Sequence, residues 1–191
     1  SFTADPQPAG NDETKAGGGL TIDWSTDLLA LQDVELDRTP YTTWGGYGGM
    51  TFRAGRELHR PVYILAGDPE GAAARGEGRP VIGQRGQWLM LHARVDGGAD
   101  EFVSVAILND PDNPVHGAPT SLPAADARET PWYAKADPYY VFFNAAFLFD
   151  GPLQVRRGDR LRFRYRILLR DGLWTPAEID ALATEFRATA E

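Results

Sequence analysis

The eleven residues RLRFRYRILLR, at positions 160–170, constrain the fold more than any other stretch. Side chains alternate across a β-strand, so Leu161, Phe163, Tyr165, Ile167 and Leu169 share one face while Arg160, Arg162, Arg164 and Arg166 line the other. A helix would scatter both sets, so the segment reads as a strand with one apolar and one charged face. Four guanidiniums about 7 Å apart repel one another unless acids lie between them. The segment DVELD offers Asp33, Glu35 and Asp37 on one face, and the expectation is that it pairs with the arginine strand as an ion-paired surface. The competing reading makes the arginine row a cleft for an anionic sugar or carboxylate, because the guanidinium fork suits bidentate oxyanion binding.

Seven other segments show period-two alternation or a short apolar run bounded by Gly, Pro or Asp. They are LTIDW, LLALQDVELD, GMTFRA, PVYILA, QWLMLHARV, FVSVAIL and YYVFFNAAFLF. One helix is expected, over 175–190. Thr175 caps it, Pro176 takes the first helical position, and Glu178 completes a capping box three residues after the cap. Ile179, Leu182, Ala183 and Phe186 fall on one face, to dock on the sheet or on a neighbouring domain. Many strands without alternating helices predict a mostly-β, antiparallel sandwich with one C-terminal helix. Residues 1–19, ending in AGGG, read as a flexible loop or tether, 20–191 as one domain, and Asp68 to Pro80 as a mobile surface loop.

At 191 residues and 42% hydrophobic the chain is long enough to fill one core. No apolar run approaches the roughly 20 residues that span a bilayer, so no membrane contact is expected. The first ten residues lack the basic and apolar regions of an export signal, but the chain begins at Ser1 rather than Met, so the compartment stays open beyond a soluble chain. Without cysteine there is no disulfide, thiolate nucleophile or Cys-ligated metal. A net charge of −8 works against nucleic acid, whose phosphates require a basic footprint. A small molecule or a protein is the expected partner.

Candidate chemistry sits in four places. The stretch WGGYGGMTFR, 44–53, surrounds Tyr47 with glycines before a strand. It is either a structural bend or a place where Tyr47 and Arg53 face a cleft. His59, His92 and His116 show neither HExxH nor helical i, i+4 spacing, so no cofactor or metal is predicted, although a site assembled by the fold stays open. His92 reads as a hydrogen-bonded sheet residue. The stretch ILNDPDNPVHG, 107–117, gathers Asn109, Asp110, Asp112, Asn113 and His116; Asn and Asp before proline also make ordinary turns. In PWYAKADPYYVFFNAAFLFD, Trp132 and Tyr133 offer flat faces with polar tips of the kind that stack on sugars. Asn144, a carboxamide inside an apolar run, needs partners wherever it lies. Phe142, Phe143, Phe147 and Phe149 read as core.

The order GYGG-x-x-FR, then VAIL-x-x-P-x-NP followed by PWY, then G-D-x-L-x-x-RYR…DG, resembles the PmoA-like family, labelled "methane oxygenase PmoA", over about residues 20 to 173. The resemblance implies a sandwich of the galactose-mutarotase-like supersandwich type and partners among sugar-oxidising and sugar-cleaving proteins. It implies no reaction, and methane chemistry does not carry over, because a membrane copper oxygenase needs spanning helices and clustered histidines. The matching polar residues are Tyr47, Arg53, Asn113, His116, Trp132 and Tyr133. Members of that family look longer, with a histidine-rich upstream half, so either that half is cleaved off or a separate chain, and a second polypeptide or a homodimer covers the open sheet edge, or this is a compact variant that closes its own sheet. The functional expectation is binding of a sugar or sugar derivative, with Arg53, Asn109, Asn113 and Asn144 as polar contacts. His116 is the proton-transfer residue of any catalysis. The competitors are a non-catalytic binding module and a structural subunit completed by another chain.

Overall fold

The computed structural model describes residues 19–37, 48–68, 80–96, 101–115, 129–137 and 140–189. Eleven strands and one helix occur among them. In chain order they are β1 (Gly19–Leu29), β2 (Val34–Leu36), β3 (Thr51–Arg53), β4 (Leu58–Leu65), β5 (Val81–Arg85) and β6 (Trp88–Val95). Then come β7 (Phe102–Asn109), β8 (Pro131–Asp137), β9 (Tyr140–Ala145), β10 (Leu153–Val155), β11 (Arg160–Asp171) and α1 (Pro176–Ala188). A five-stranded sheet runs β1-β11-β7-β6-β4 and a four-stranded sheet runs β3-β9-β8-β5, with β10 and β2 forming a small ribbon. Every pairing is antiparallel, so the chain is the mostly-β antiparallel sandwich its patterning predicts.

The main core fills the space between the two large sheets. Leu89, Leu91, Val105, Ile107, Phe163 and Tyr165 from one meet Trp132, Ala134, Val141, Phe143 and Ala145 from the other. A second core lies on the opposite face of the five-stranded sheet, where α1 buries Ile179, Ala183 and Phe186 against Trp88, Met90, Ala106, Leu108 and Leu168. Burying a side chain such as Ile179 or Phe186 contributes about 1.5–3 kcal/mol, more than a 13-residue helix gains from its own propensity. Thr175 caps α1 and Glu178 closes the capping box. The backbone N–H of Thr175 and its hydroxyl both donate to the Glu178 carboxylate, which holds that carboxyl down to about pKa 2. No helix among the described residues is long and apolar enough to cross a membrane.

Three expectations change. The arginine strand β11 pairs with β1 and β7, not with DVELD; Asp23 and Asp27 of β1 supply the acids, while DVELD forms β2 and pairs with β10. LLALQDVELD is two elements, because β1 runs on to Leu29 and the chain turns at 30–33 before β2. Strands β5, β8 and β10 go unread in the sequence. β10 is too short to show a period. β5 is interrupted at Gly83 (φ +70°), where the ladder bulges and an added Cβ would strike the Phe149 ring. β8 hides its alternation behind Pro131 and small alanines. The proposed segment 1–19 lies outside the described residues except for Gly19, as does most of the Asp68 to Pro80 loop.

Candidate functional site

The stretch after β7 is a brace between two strands. Asp110 and Asn113 close a four-residue turn, the Asn113 N–H donating to the Asp110 carbonyl at 3.0 Å, with Pro111 at the position that a fixed φ favours. Asp110 Oδ1 accepts from the Asp112 N–H at 2.9 Å. The Asn113 carboxamide then takes the place of a strand. Its Nδ2 donates to the Arg164 carbonyl and to Asn109 Oδ1, both at 2.8 Å, and its Oδ1 accepts the Arg164 N–H at 2.7 Å. Asn109 completes the chain by donating to the Asp110 carbonyl. Arg164 pairs with the buried Asp110 carboxylate at 2.8 Å and with its other nitrogen reaches the Phe186 carbonyl and Thr189, so the turn also anchors the C-terminal end of α1. A guanidinium there opposes the negative end of the helix dipole.

The brace opens one edge of β11. Arg164 offers its N–H and C=O toward β7, and backbone direction alternates along a strand, so Arg162 offers its own the same way. Its ladder position belongs to Asp112, which the turn has carried off. The space left is a groove of about 500 Å³, walled by Ser25, Asp27, Asp112, Asn113, Arg162 and Thr189. Asp27 accepts from Arg160 at 3.0 Å and Arg162 at 3.2 Å, and the Arg160 bond first among these holds its carboxyl below the ordinary range. It is therefore an anion at neutral pH. The Asp112 carboxylate makes no hydrogen bond or ion pair among the described residues, and the Arg162 side chain is 77% exposed. Carboxylates, hydroxyls, a guanidinium and a strand edge thus face one concavity.

A second group lies on the outer face of the four-stranded sheet. Register sets Asn144 between Thr51 and Tyr133, and Phe142 between Arg53 and Lys135. The Asn144 Nδ2 donates to Thr51 Oγ1 at 2.6 Å and reaches the Gly49 and Met50 carbonyls at 3.3 and 3.4 Å, while its buried Oδ1 has no partner among the described residues. Gly49 admits this approach because a Cβ there would lie 2.1 Å from the Ala145 carbonyl oxygen. Arg53 stacks over Tyr140 at 5.3 Å. Burial and the neighbouring Tyr140 raise the Tyr133 phenol above its usual range.

The structure therefore divides the predicted residues. It gathers Asn109 with Asn113, and separately Arg53 with Tyr133 and Asn144. Trp132 joins neither group: it is completely buried in the core with its indole N–H on the Gly86 carbonyl, and a ring without exposed surface has no face for a sugar, which corrects the expected stacking role. Phe142 is buried in a separate cluster on the outer face, opposite to Phe143 and Phe147 as its parity predicts, and only Phe149 leaves the main core to pack there partly buried. Tyr47 and His116 lie outside the described residues. His92 sits in β6 opposite Ser104 and hydrogen-bonds with the Trp174 backbone, and burial holds its pKa below the usual value. Among the described residues no three His, Asp or Glu side chains gather to hold a metal ion.

Sequence reasoning missed Ser25 and Asp27, although one signal was present. Asp23 and Asp27 are four apart in an alternating strand, so they share a face and match the spacing of Arg166 and Arg162. It also missed the ion pair between the nearly buried Arg85 and Asp150. Arg85 borders a second recess, of about 700 Å³, near Asp180. The Asp180 carboxylate there already accepts the Trp88 indole N–H at 2.8 Å, and Arg85 also donates to the Glu129 carbonyl.

No curated protein and no solved structure matches the chain. A family model does match, the Family of unknown function (DUF6807), over residues 9–184. This replaces the PmoA-like assignment drawn from GYGG-x-x-FR and PWY: those motifs are short, and no match to a PmoA-like family accompanies them. The match spans nearly the whole chain, and the protein belongs to the Family of unknown function (DUF6807).

Proposed function

We propose that the groove beside Arg162 binds an uncharged sugar or sugar derivative. The observation that carries this is the edge of β11 at Arg162, open among the described residues and facing the Asp112 carboxylate, which has no partner among them, across a space the size of one or two sugar rings. Each sugar hydroxyl both donates and accepts, and this wall alternates acceptors (Asp27, Asp112) with donors (the Arg162 guanidinium and N–H). The balance of three aspartates against two arginines on the wall disfavours a polyanion, which sets aside the anionic-ligand version of the arginine cleft. The outer aromatic face supports the reading less, because Tyr133 and Asn144 are 7% and 0% exposed.

One ring of roughly a dozen heavy atoms, at about −0.3 kcal/mol each, gives about −4 kcal/mol, or a Kd near 1 mM. The suitable test is ligand-observed NMR with neutral monosaccharides and disaccharides. Saturation transfer is expected for at least one neutral sugar, to be lost in Asp112→Ala and Arg162→Ala and kept in Arg94→Ala, which lies on β6 away from the groove. Transfer that survives both groove substitutions, or none from any sugar, removes the proposal. Turnover is its narrower version, with His116, three residues beyond Asn113, as the proton-transfer group. Unchanged turnover of a bound sugar in His116→Ala would end that role.

A further inference from the structure

We propose that β1 is the pairing edge for a second copy of this chain, joined antiparallel about a two-fold axis at Trp24 into one continuous sheet. β1 ends the five-stranded sheet, and among the described residues no strand pairs with its outer side. Ala30, just past the strand, donates to the Asp159 carbonyl and accepts from the Gly158 N–H, so even-numbered residues bond toward β11. The register is unbroken from Gly19 to Leu29, and alternation therefore turns the N–H and C=O of Gly19, Thr21, Asp23, Ser25, Asp27 and Leu29 outward. Among the described residues the edge itself offers no obstacle to addition: it carries no proline, no lysine and no bulge.

The pattern of side chains selects the occupant and the register. Trp24 is the midpoint of the eleven residues, so a two-fold axis there overlaps the strand along its whole length. Asp23 then faces Ser25 of the second copy, Thr21 faces Asp27, and Leu20 faces Leu28. Leu20 and Leu28 are inward-facing residues left 57% and 50% exposed, and this pairing sets them against each other at both ends of the seam. The neighbouring registers fail on charge. A two-fold axis at Asp23 opposes that residue to itself, and one at Ser25 opposes Asp23 to Asp27, each a direct like-charge pair. An edge whose full-length register is also free of like-charge pairs fits its own copy. The seam borders the groove, since Ser25 and Asp27 belong to both, but the residues its test changes, Thr21, Leu20 and Leu28, do not wall the groove, so the two readings fail separately.

Analytical ultracentrifugation of the full chain at tens of micromolar is expected to give twice 21.0 kDa. Thr21→Asp, which faces Asp27 with a second carboxylate, and Thr21→Pro, which removes an outward N–H and no bond to β11, are each expected to return the mass to 21.0 kDa with an unchanged circular dichroism spectrum. The chain has no cysteine, so crosslinking reads the register without background. Residues facing across a non-hydrogen-bonded pair lie about 4.5 Å apart at Cα, within the roughly 4.4–6.8 Å a disulfide spans. The Leu20→Cys/Leu28→Cys double variant should oxidise to a covalent dimer, and neither single variant should. A chain of 21.0 kDa that forms no disulfide overturns the proposal, as does a dimer that survives both Thr21 substitutions.

Discussion

The two halves of β11 carry the same alternation of arginine with apolar residues against the same partner strand, yet they end in opposite environments. Arg166 is 11% exposed at its side chain, clamped by Asp23 at 2.7 Å and laid over the Phe186 ring at 5.1 Å. Arg162, four residues earlier on the same face, is 77% exposed and shares Asp27 with Arg160. The difference comes from neighbours: β7 and α1 cover the second half, whereas the turn at 110–113 carries the chain after β7 away from the first and α1 ends beside it at Thr189. Charge pairing thus serves structure in one half and leaves donors and acceptors for a ligand in the other.

Removing the cover is the strongest way to break this contrast. Phe186→Ala empties a completely buried site beneath Arg164 and Arg166. The expected loss is about 3–5 kcal/mol, a fall in Tm of about 10 °C for a domain of this size. Calorimetry would check it, and a loss below about 1 kcal/mol would mean that α1 does not hold this half of the sheet. Next comes the boundary itself. Asn113→Ala strands the Arg164 N–H and Asn109 Oδ1, for about 2–3 kcal/mol by denaturant titration, and the first amides to lose exchange protection should be those around 109–113.

These effects also show where the sequence was legible. The period of two in RLRFRYRILLR and the Thr175–Glu178 capping box are local signals, and both elements form where such signals place them. Partner choice is not local. Asp33, Glu35 and Asp37 match an arginine row as well as Asp23 and Asp27 do, and what favours the latter is the position of β1 at the sheet end, which depends on the whole topology. The same limit governed the candidate site. Asn109 and Asn113 could be read as a turn or as ligand contacts, and the turn bonds are the ones observed. Trp132 carried the composition of a stacking residue, but its parity within β8, an element unread in the sequence, sends it to the core.

A smaller effect separates the halves by pH. Arg166 holds the Asp23 carboxyl below its ordinary value through a direct hydrogen bond, against a modest burial penalty. A carboxyl depressed on folding contributes stability that is complete above its unfolded pKa of about 4 and is lost as pH falls through the lower folded value. Asp23→Asn should therefore lower stability at neutral pH, where the clamp is complete, and flatten the profile below about pH 4 so that variant and parent converge in acid, as urea titrations at stepped pH would show. An unaltered acid limb would mean that the Asp23 clamp does not carry over to solution.

The smallest expected effect on stability is the most discriminating for function. Arg162→Ala removes one member of an exposed triad in which Asp27 keeps Arg160, and exposed pairs contribute about 0–1 kcal/mol. Its unfolding free energy should stay within about 0.5 kcal/mol of the parent chain, and that of Arg166→Ala, which uncovers the Phe186 ring and unpairs Asp23, should fall clearly below both. A large loss for Arg162→Ala would make the first half of β11 as structural as the second and leave the groove without its donor. Near-neutral stability joined to a lost sugar signal would place the two halves of one strand in different roles, because the fold would then keep Arg162 for what it binds rather than for what it braces.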